Sequence, residues 1–423
     1  MGDVSANAIS KNRSVSDFLT LESRLGAIAE SQRMIAELLN SRTACVSPAA
    51  GITIPDLRSH ADKSLLSTGI VGTGNSAHAL AAYLSAAGTS VRMLSRNKVK
   101  AQILDASRRI YSEDRILGRF ELSGAYTDAR EFASRSRNIF VATVATAYKD
   151  VAESLAPYLS SAHTIILFSG KFAGAREFQL ALLEKGLTEL PKIVETDSLF
   201  ACRLVAEGRV WIRGIKRWTL FSSVTRSETE ACAPIINAYF PGLTAADSLI
   251  QRGLTDFGAL AHAPIALTNM HAIDREQEFL FYYQGMTPRT IAVLESMEEE
   301  FRAIGAAYGV RLIPMKELLN RYYGCDTNSL YSAMTTVPNY RHSLSPKTLN
   351  HRFFYEDVAC SLVPFEQLAR LAGQETPVLS SMISLATCVV GEDFRKTGRT
   401  LEKLKLGELG KSDQSEIIQL LHS

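Results

Sequence analysis

The chain has 423 residues, more than one ordinary core accommodates and enough for two or three domains. Apolar residues make up 46% and charged residues 21%, a globular balance. The net charge of +2 argues against a surface that coats nucleic acid, and no apolar run reaches the length of a membrane span.

Residues 1–14 are polar and lack the apolar core of a secretory signal, so a cytoplasmic protein is expected. Over 15–41 the residues Leu21, Leu25, Ile28, Ile35 and Leu39 recur at four- and three-residue steps. This predicts an amphipathic helix with a short heptad-like seam. The seam suits a second copy of the chain, another protein, or its own domain; a homodimer is the expected assembly. Residues 42–63, with Pro48, Gly51 and Pro55, read as a linker, which makes 1–63 an N-terminal extension.

From Ser64 onward, β-rich runs at 67–71, 91–94, 138–144, 164–168 and 193–195 alternate with helical stretches. One such stretch, 78–87, stops before Gly88, a natural C-cap. The alternation predicts a parallel sheet with right-handed crossovers over 64–248. Runs at 210–215 and 218–222 read as an antiparallel extension of that sheet. Over 249–423 amphipathic segments dominate, at 255–272, 288–308, 314–323, 365–372 and 378–390. The expected fold class is therefore α/β: a Rossmann-type parallel sheet domain, then an all-helical C-terminal domain. Six scattered cysteines, Cys45, Cys202, Cys232, Cys325, Cys360 and Cys388, form no C-x-x-C pair and predict reduced thiols. The histidines show no metal-ligand spacing, so no metal is expected.

The turn Gly72-Thr73-Gly74-Asn75-Ser76-Ala77 follows the apolar Ile70-Val71 and opens a helix. Gly72 permits the tight turn, Gly74 lets a pyrophosphate approach the backbone, and Ala77 keeps helix and strand close. The first-turn N–H groups, at Asn75 and Ser76, then face the phosphates. A dinucleotide is the expected cofactor. At the end of the next strand, Leu94-Ser95-Arg96-Asn97-Lys98 carries no acid for a ribose 2′-hydroxyl. Ser95 and Arg96 suit a 2′-phosphate instead, so NADP is expected ahead of NAD. Arg96 and Lys98 also suit the start of a solvated helix, which keeps NAD open.

Two segments set titratable groups inside apolar stretches, where burial perturbs them. One is Leu254-Thr255-Asp256-Phe257-Gly258-Ala259-Leu260-Ala261-His262-Ala263-Pro264. The other is His351-Arg352-Phe353-Phe354-Tyr355-Glu356-Asp357-Val358. With them come Glu195-Thr196-Asp197-Ser198-Leu199-Phe200-Ala201-Cys202-Arg203 and Phe281-Tyr282-Tyr283-Gln284-Gly285-Met286-Thr287-Pro288. A last string is Asp393-Phe394-Arg395-Lys396-Thr397-Gly398-Arg399-Thr400-Leu401-Glu402-Lys403-Leu404. Over about residues 66–405 the chain resembles the opine dehydrogenases, the octopine/nopaline dehydrogenase family. Within it, the chain looks like the bacterial N-(1-D-carboxyethyl)-L-norvaline dehydrogenase type.

The resemblance implies an enzyme that joins the amine of an amino acid to a 2-oxo acid. The imine is then reduced by a nicotinamide cofactor, between a Rossmann domain and a helical domain. It carries a catalytic pair onto His262 and Asp357. Imine formation needs proton transfers near neutral pH, which suits histidine, and a carboxylate can hold the imidazole in one tautomer. Arg203, Arg289, Arg352 and Arg395 are candidate carboxylate binders, since a guanidinium forms a planar fork. Tyr282, Tyr283 and Thr287 are candidate pocket residues. The chain departs from the family's usual Asn-x-Asn with Asp256 and Gly258, and places Ala263 after His262, with Pro264 one later. It also reads Glu298-Glu299-Glu300-Phe301 where members often have Asp-Ala-Glu-Arg. The charge of Asp256 predicts a substrate with a basic or amino-bearing group. Competing readings are a simple 2-hydroxy-acid or polyol-phosphate dehydrogenase and a cofactor-binding regulatory or scaffold protein.

Overall fold

The computed structural model describes residues 54–406, and the amphipathic helix expected over 15–41 lies outside them. Twelve strands are present among the described residues: β1 (Ser67–Val71), β2 (Ser90–Leu94), β3 (Arg109–Asp114), β4 (Gly118–Glu121), β5 (Gly124–Tyr126) and β6 (Asn138–Val141), then β7 (Thr164–Phe168), β8 (Lys192–Thr196), β9 (Phe200–Ala206), β10 (Arg209–Ile215), β11 (Thr219–Ser222) and β12 (Leu243–Ala245). β6 and β7 are buried at every residue, the mark of a parallel sheet covered on both faces.

The main sheet has the order β12-β11-β8-β7-β6-β1-β2-β5. The six strands from β5 to β8 pair parallel, in the doubly wound arrangement of a dinucleotide-binding sheet. The strand order reverses between β1 and β6, and ligands of such sheets bind outside the carboxyl ends at that reversal. β11 runs antiparallel to β8, as expected for the run at 218–222.

The run at 210–215 goes elsewhere. It forms β10 of a second sheet, β4-β3-β10-β9, where it pairs antiparallel with β9 and parallel with β3. This small sheet packs on the helix Asn75–Ala86. His78 of that helix explains part of the docking: its Nδ1–H donates to Gly74 O at 3.0 Å, and its Nε2 accepts from Gly208 N–H at 3.1 Å. The sequence did not announce β3, β4, β5, β9 or β12, which are short or expose alternate residues. β6 stops at Val141 rather than 144 because residues 142–144 leave the ladder and form part of a cavity wall.

The helical half centres on the helix Phe257–Thr268, ten of whose twelve residues are buried. A helix apolar on nearly every side belongs inside a core. Around it pack Pro288–Ala307, Pro377–Val390 and a π-helix, Phe353–Leu362. The segment expected over 255–272 is interrupted at Asn269, after which Met270–Asp274 starts afresh. The π-helix was not legible, and such irregular turns occur most often at functional sites. Among the described residues Cys202, Cys232, Cys360 and Cys388 are free thiols.

Arg399 fastens the two halves together. It is buried and donates to Gly170 O at 3.0 Å, Phe172 O at 2.9 Å and Ala145 O at 3.1 Å, and pairs with Glu177 at 2.6 Å. These carbonyls lie on loops after β6 and β7.

Two histidines make stability depend on pH. Burial depresses the His78 pKa. Burial, followed by the charges of Arg352 and His262, brings His351 down to about 4 from an ordinary 6.5. The unfolded chain therefore takes up these protons first as the pH falls. The contribution of His351 is fully present above about pH 6.5 and is lost towards pH 4. The melting temperature is expected to fall across that window, with a shallower slope in His351→Asn. An unchanged slope in the variant would contradict this assignment.

Candidate active site

β1 ends at Val71 and the helix Asn75–Ala86 begins four residues later. Gly72 has φ +116°, and a Cβ there would lie 2.8 Å from Ala142 O, so the fold itself requires glycine. Gly74 differs: its φ is −87°, and a Cβ would meet nothing within 4 Å. The fold would accept a side chain at Gly74, and its absence leaves room over the helix N-terminus. Gly74 is also the N-cap and supplies no side-chain acceptor, so the first-turn N–H groups lack that partner. This combination suits a pyrophosphate. Gly72, Gly74, Asn75 and Ser76 line a cavity of about 540 Å³, while Ala77 lies beneath it, fully buried.

The helical half forms the facing wall. His262 Nδ1 lies 2.9 Å from Asp357 Oδ2, and its Nε2 lies 2.9 Å from the Tyr282 hydroxyl. An ionised carboxylate only accepts, so Nδ1 carries the proton and Nε2 is the basic nitrogen, accepting from Tyr282. Phe353 stacks on the imidazole at 4.3 Å and holds its plane. The other Asp357 oxygen accepts from Lys171 Nζ at 2.6 Å, and Lys171 also donates to Asp256 Oδ2 at 3.1 Å. Burial opposes the charge on Lys171, but Asp256 and Asp357 keep its pKa well above the ordinary lysine value. Burial likewise opposes the charge on Asp357, and Lys171 and His262 hold its carboxyl far below the usual range. The result is one buried chain of partners: Asp256, Lys171, Asp357, His262 and Tyr282.

Asp256 is the N-cap of the helix Phe257–Thr268, and its Oδ1 accepts from Gly258 N–H at 2.8 Å. Both of its oxygens are engaged, and Lys171 meets the charge that the sequence offered to a substrate amine. Gly258 keeps the space beside the pair open: a Cβ there would lie 2.9 Å from Asp357 Oδ1 and 3.0 Å from the imidazole.

The other candidates divide clearly. Arg352 lines the cavity and pairs with Glu356 at 3.1 Å. Arg203, Thr287 and Arg289 are exposed and off the cavity wall, with Thr287 capping the helix Pro288–Ala307. Arg395 grips Glu366 through two bonds of 2.7 Å, and the Tyr283 hydroxyl donates to Val337 O. Ser95 is buried at the end of β2 and accepts from Asn97 N–H at 3.1 Å. The side chain of Arg96 is 82% exposed, with a loose 3.5 Å pair to Asp150. Lys171, Asp197, Arg213 and Lys216 also line the cavity and were missed from sequence. A lone charge inside an apolar run was the available signal for Lys171. Among the described residues no group of three His, Cys, Asp or Glu side chains could hold a metal, and no helix is long and apolar enough to cross a membrane.

Residues 245–390 match the model of the NAD/NADP octopine/nopaline dehydrogenase alpha-helical domain. Residues 67–168 match one described as NADP oxidoreductase, coenzyme F420-dependent. An opine dehydrogenase of Arthrobacter sp. (strain 1C) is 31% identical over 343 residues, covering 80% of this chain and 95% of that protein. The chain belongs to the opine dehydrogenase family. It is an NAD(P)-dependent oxidoreductase acting on CH–NH, of the kind that reductively condenses an amino acid with a keto acid. The fold agrees with that of an octopine dehydrogenase solved with NADH and agmatine (TM-score 0.63, 19% identity, 80% of this chain and 95% of that one). It also agrees with a yersinopine dehydrogenase with NADP+ bound (TM-score 0.58, 15% identity, 85% and 98%).

The two turn glycines separate experimentally. Gly74→Ala is expected to melt within about 1 °C of the natural enzyme yet bind cofactor roughly tenfold or more weakly. Gly72→Ala is expected to lose stability as well, by about 1–3 kcal/mol. Calorimetric cofactor titration with thermal melts reads both, and full cofactor affinity in Gly74→Ala would contradict the assigned turn.

Proposed function

We propose that this enzyme uses NADPH to join the amine of an amino acid, or of an amine-bearing metabolite, to a 2-oxo acid. The observation that carries the reading is His262, which lines the cavity, with Nε2 as its basic nitrogen and Nδ1 held by Asp357. Nε2 takes a proton from the substrate ammonium, which frees the amine to attack the keto carbon. The protonated imidazole then returns that proton to the carbinolamine hydroxyl, which leaves as water. Asp357 stabilises the transient imidazolium and keeps the ring in one orientation. Tyr282, bonded to Nε2 in the free enzyme, gives up this contact to the substrate and shields the site from solvent. The nicotinamide cofactor, when bound, supplies the hydride that reduces the imine.

NADPH is favoured over NADH by the residues at the end of β2. No acid directly follows β2 in the chain to bond a 2′-hydroxyl, Ser95 offers a hydroxyl, and the exposed Arg96, only loosely paired with Asp150, can close on a 2′-phosphate. A cytoplasmic homodimer belongs to the same reading, and sedimentation tests the dimer.

A matrix of amino acids against pyruvate, glyoxylate and 2-oxoglutarate, followed by NADPH absorbance, tests the reaction. Oxidation is expected only when both substrates are present. Turnover with a single carbon substrate would indicate a simple dehydrogenase, and cofactor binding without turnover would indicate a scaffold. His262→Asn is expected to reduce kcat by about 10²–10⁴. Arg96→Ala is expected to raise KM for NADPH about tenfold or more and leave KM for NADH unchanged.

A further inference from the structure

Four cationic side chains line the cavity: Lys171, Arg213, Lys216 and Arg352. Three have carboxylate partners. Lys171 pairs with Asp256 and Asp357, Lys216 with Asp197, and Arg352 with Glu356. Arg213 has none among the described residues. Its Nη1 donates to Ser343 Oγ at 3.2 Å, and its Nε is shut off from solvent with no hydrogen-bond partner. Its guanidinium carbon lies 5.6 Å from the centre of the Trp211 ring. The groups whose charge would offset its burial are the Cys202 thiol and the Tyr282 and Tyr323 phenols, all ordinarily neutral near pH 7.

The arginine is also held in place. Its carbonyl accepts from Asn339 Nδ2 at 3.0 Å, and the next residue, Gly214, has no room for a Cβ against Asn339. A half-buried guanidinium without a counter-charge is unfavourable in the free protein and is satisfied when an anion arrives. Tyr282 links this place to the reacting one, since its hydroxyl bonds His262 and it lines the same cavity as Arg213. The pyrophosphate has its own donors on the turn at Gly74–Ser76.

We propose that Arg213 is the receptor for a substrate carboxylate, the 1-carboxylate common to amino acids and 2-oxo acids. This assignment rests on the two-substrate reading above and deepens it. The guanidinium fork selects an acid over its amide or ester and fixes the distance from the carboxylate to His262.

The test is calorimetric titration, with NADP+ present, of two non-reacting carboxylates: oxamate, shaped like a 2-oxo acid, and N-acetylglycine, shaped like an amino acid. At least one is expected to bind the natural enzyme and to bind Arg213→Leu about 30- to 100-fold more weakly. Arg213→Lys keeps the charge without the fork, so an intermediate loss is expected; it also serves if Arg213→Leu fails to fold. The corresponding amides are expected to bind natural enzyme and variants alike, weakly. NADP+ affinity is expected to change by less than about threefold. Equal carboxylate affinity in natural enzyme and variants, no carboxylate binding to the natural enzyme, or a loss confined to NADP+ would each overturn the assignment. Should no substrate pair oxidise NADPH while these probes still bind through Arg213, the two-substrate reading fails and the carboxylate receptor stands.

Discussion

Lys171 holds the molecule's two halves to one geometry. Its ammonium is buried between Asp256 and Asp357, one capping the central helix and the other on the π-helix, while its own backbone belongs to the loop after β7. Burying an ion costs several kcal/mol, and only close partners with full hydrogen bonding offset it. The loop is strained as well: Ser169, Lys171 and Ala173 have φ of +102°, +59° and +56°, conformations that non-glycine residues rarely adopt. Such strain persists where surroundings over-determine it. Here Arg252 takes the Lys171 carbonyl and Arg399 takes those of Gly170 and Phe172.

That constraint gives Asp256 its place in the site. In this chain a neutral side chain at 256 would leave Lys171 with Asp357 as its sole carboxylate partner. The acid balances the lysine, and the pair fixes one oxygen of Asp357 while the other orients His262. Electrostatics inside the cavity are thus settled by protein groups except at Arg213. The π-helix fits the same scheme, because it carries Asp357 and sets Phe353 against the imidazole.

Much of this was legible in the sequence, and the exceptions have physical causes. The glycine turn, the parallel strands and the helical second half follow from local rules of burial and capping. His262 and Asp357 were found through the resemblance, being 95 residues apart and joined only by folding. Lys171 is a lone charge inside an apolar run, a local sign of burial, but nothing local tells which two distant carboxylates cover it. Arg213 was overlooked for a related reason: its significance lies in what it lacks, a partner. Arg203 and Thr287 looked attractive for their place in family segments, yet an exposed strand position and a helix cap direct them away from the cavity. The second sheet escaped notice because strands such as β4 alternate between partial and full exposure.

The most direct test is the kcat of Lys171→Met, measured with saturating cofactor and both substrates at a temperature where the variant stays folded. Without the ammonium, Asp256 and Asp357 repel each other and the imidazole loses its fixed orientation. The account predicts a fall of about 10²–10⁴ in kcat, with cofactor affinity nearly unchanged. A folded variant that turns over within about threefold of the natural rate would contradict it.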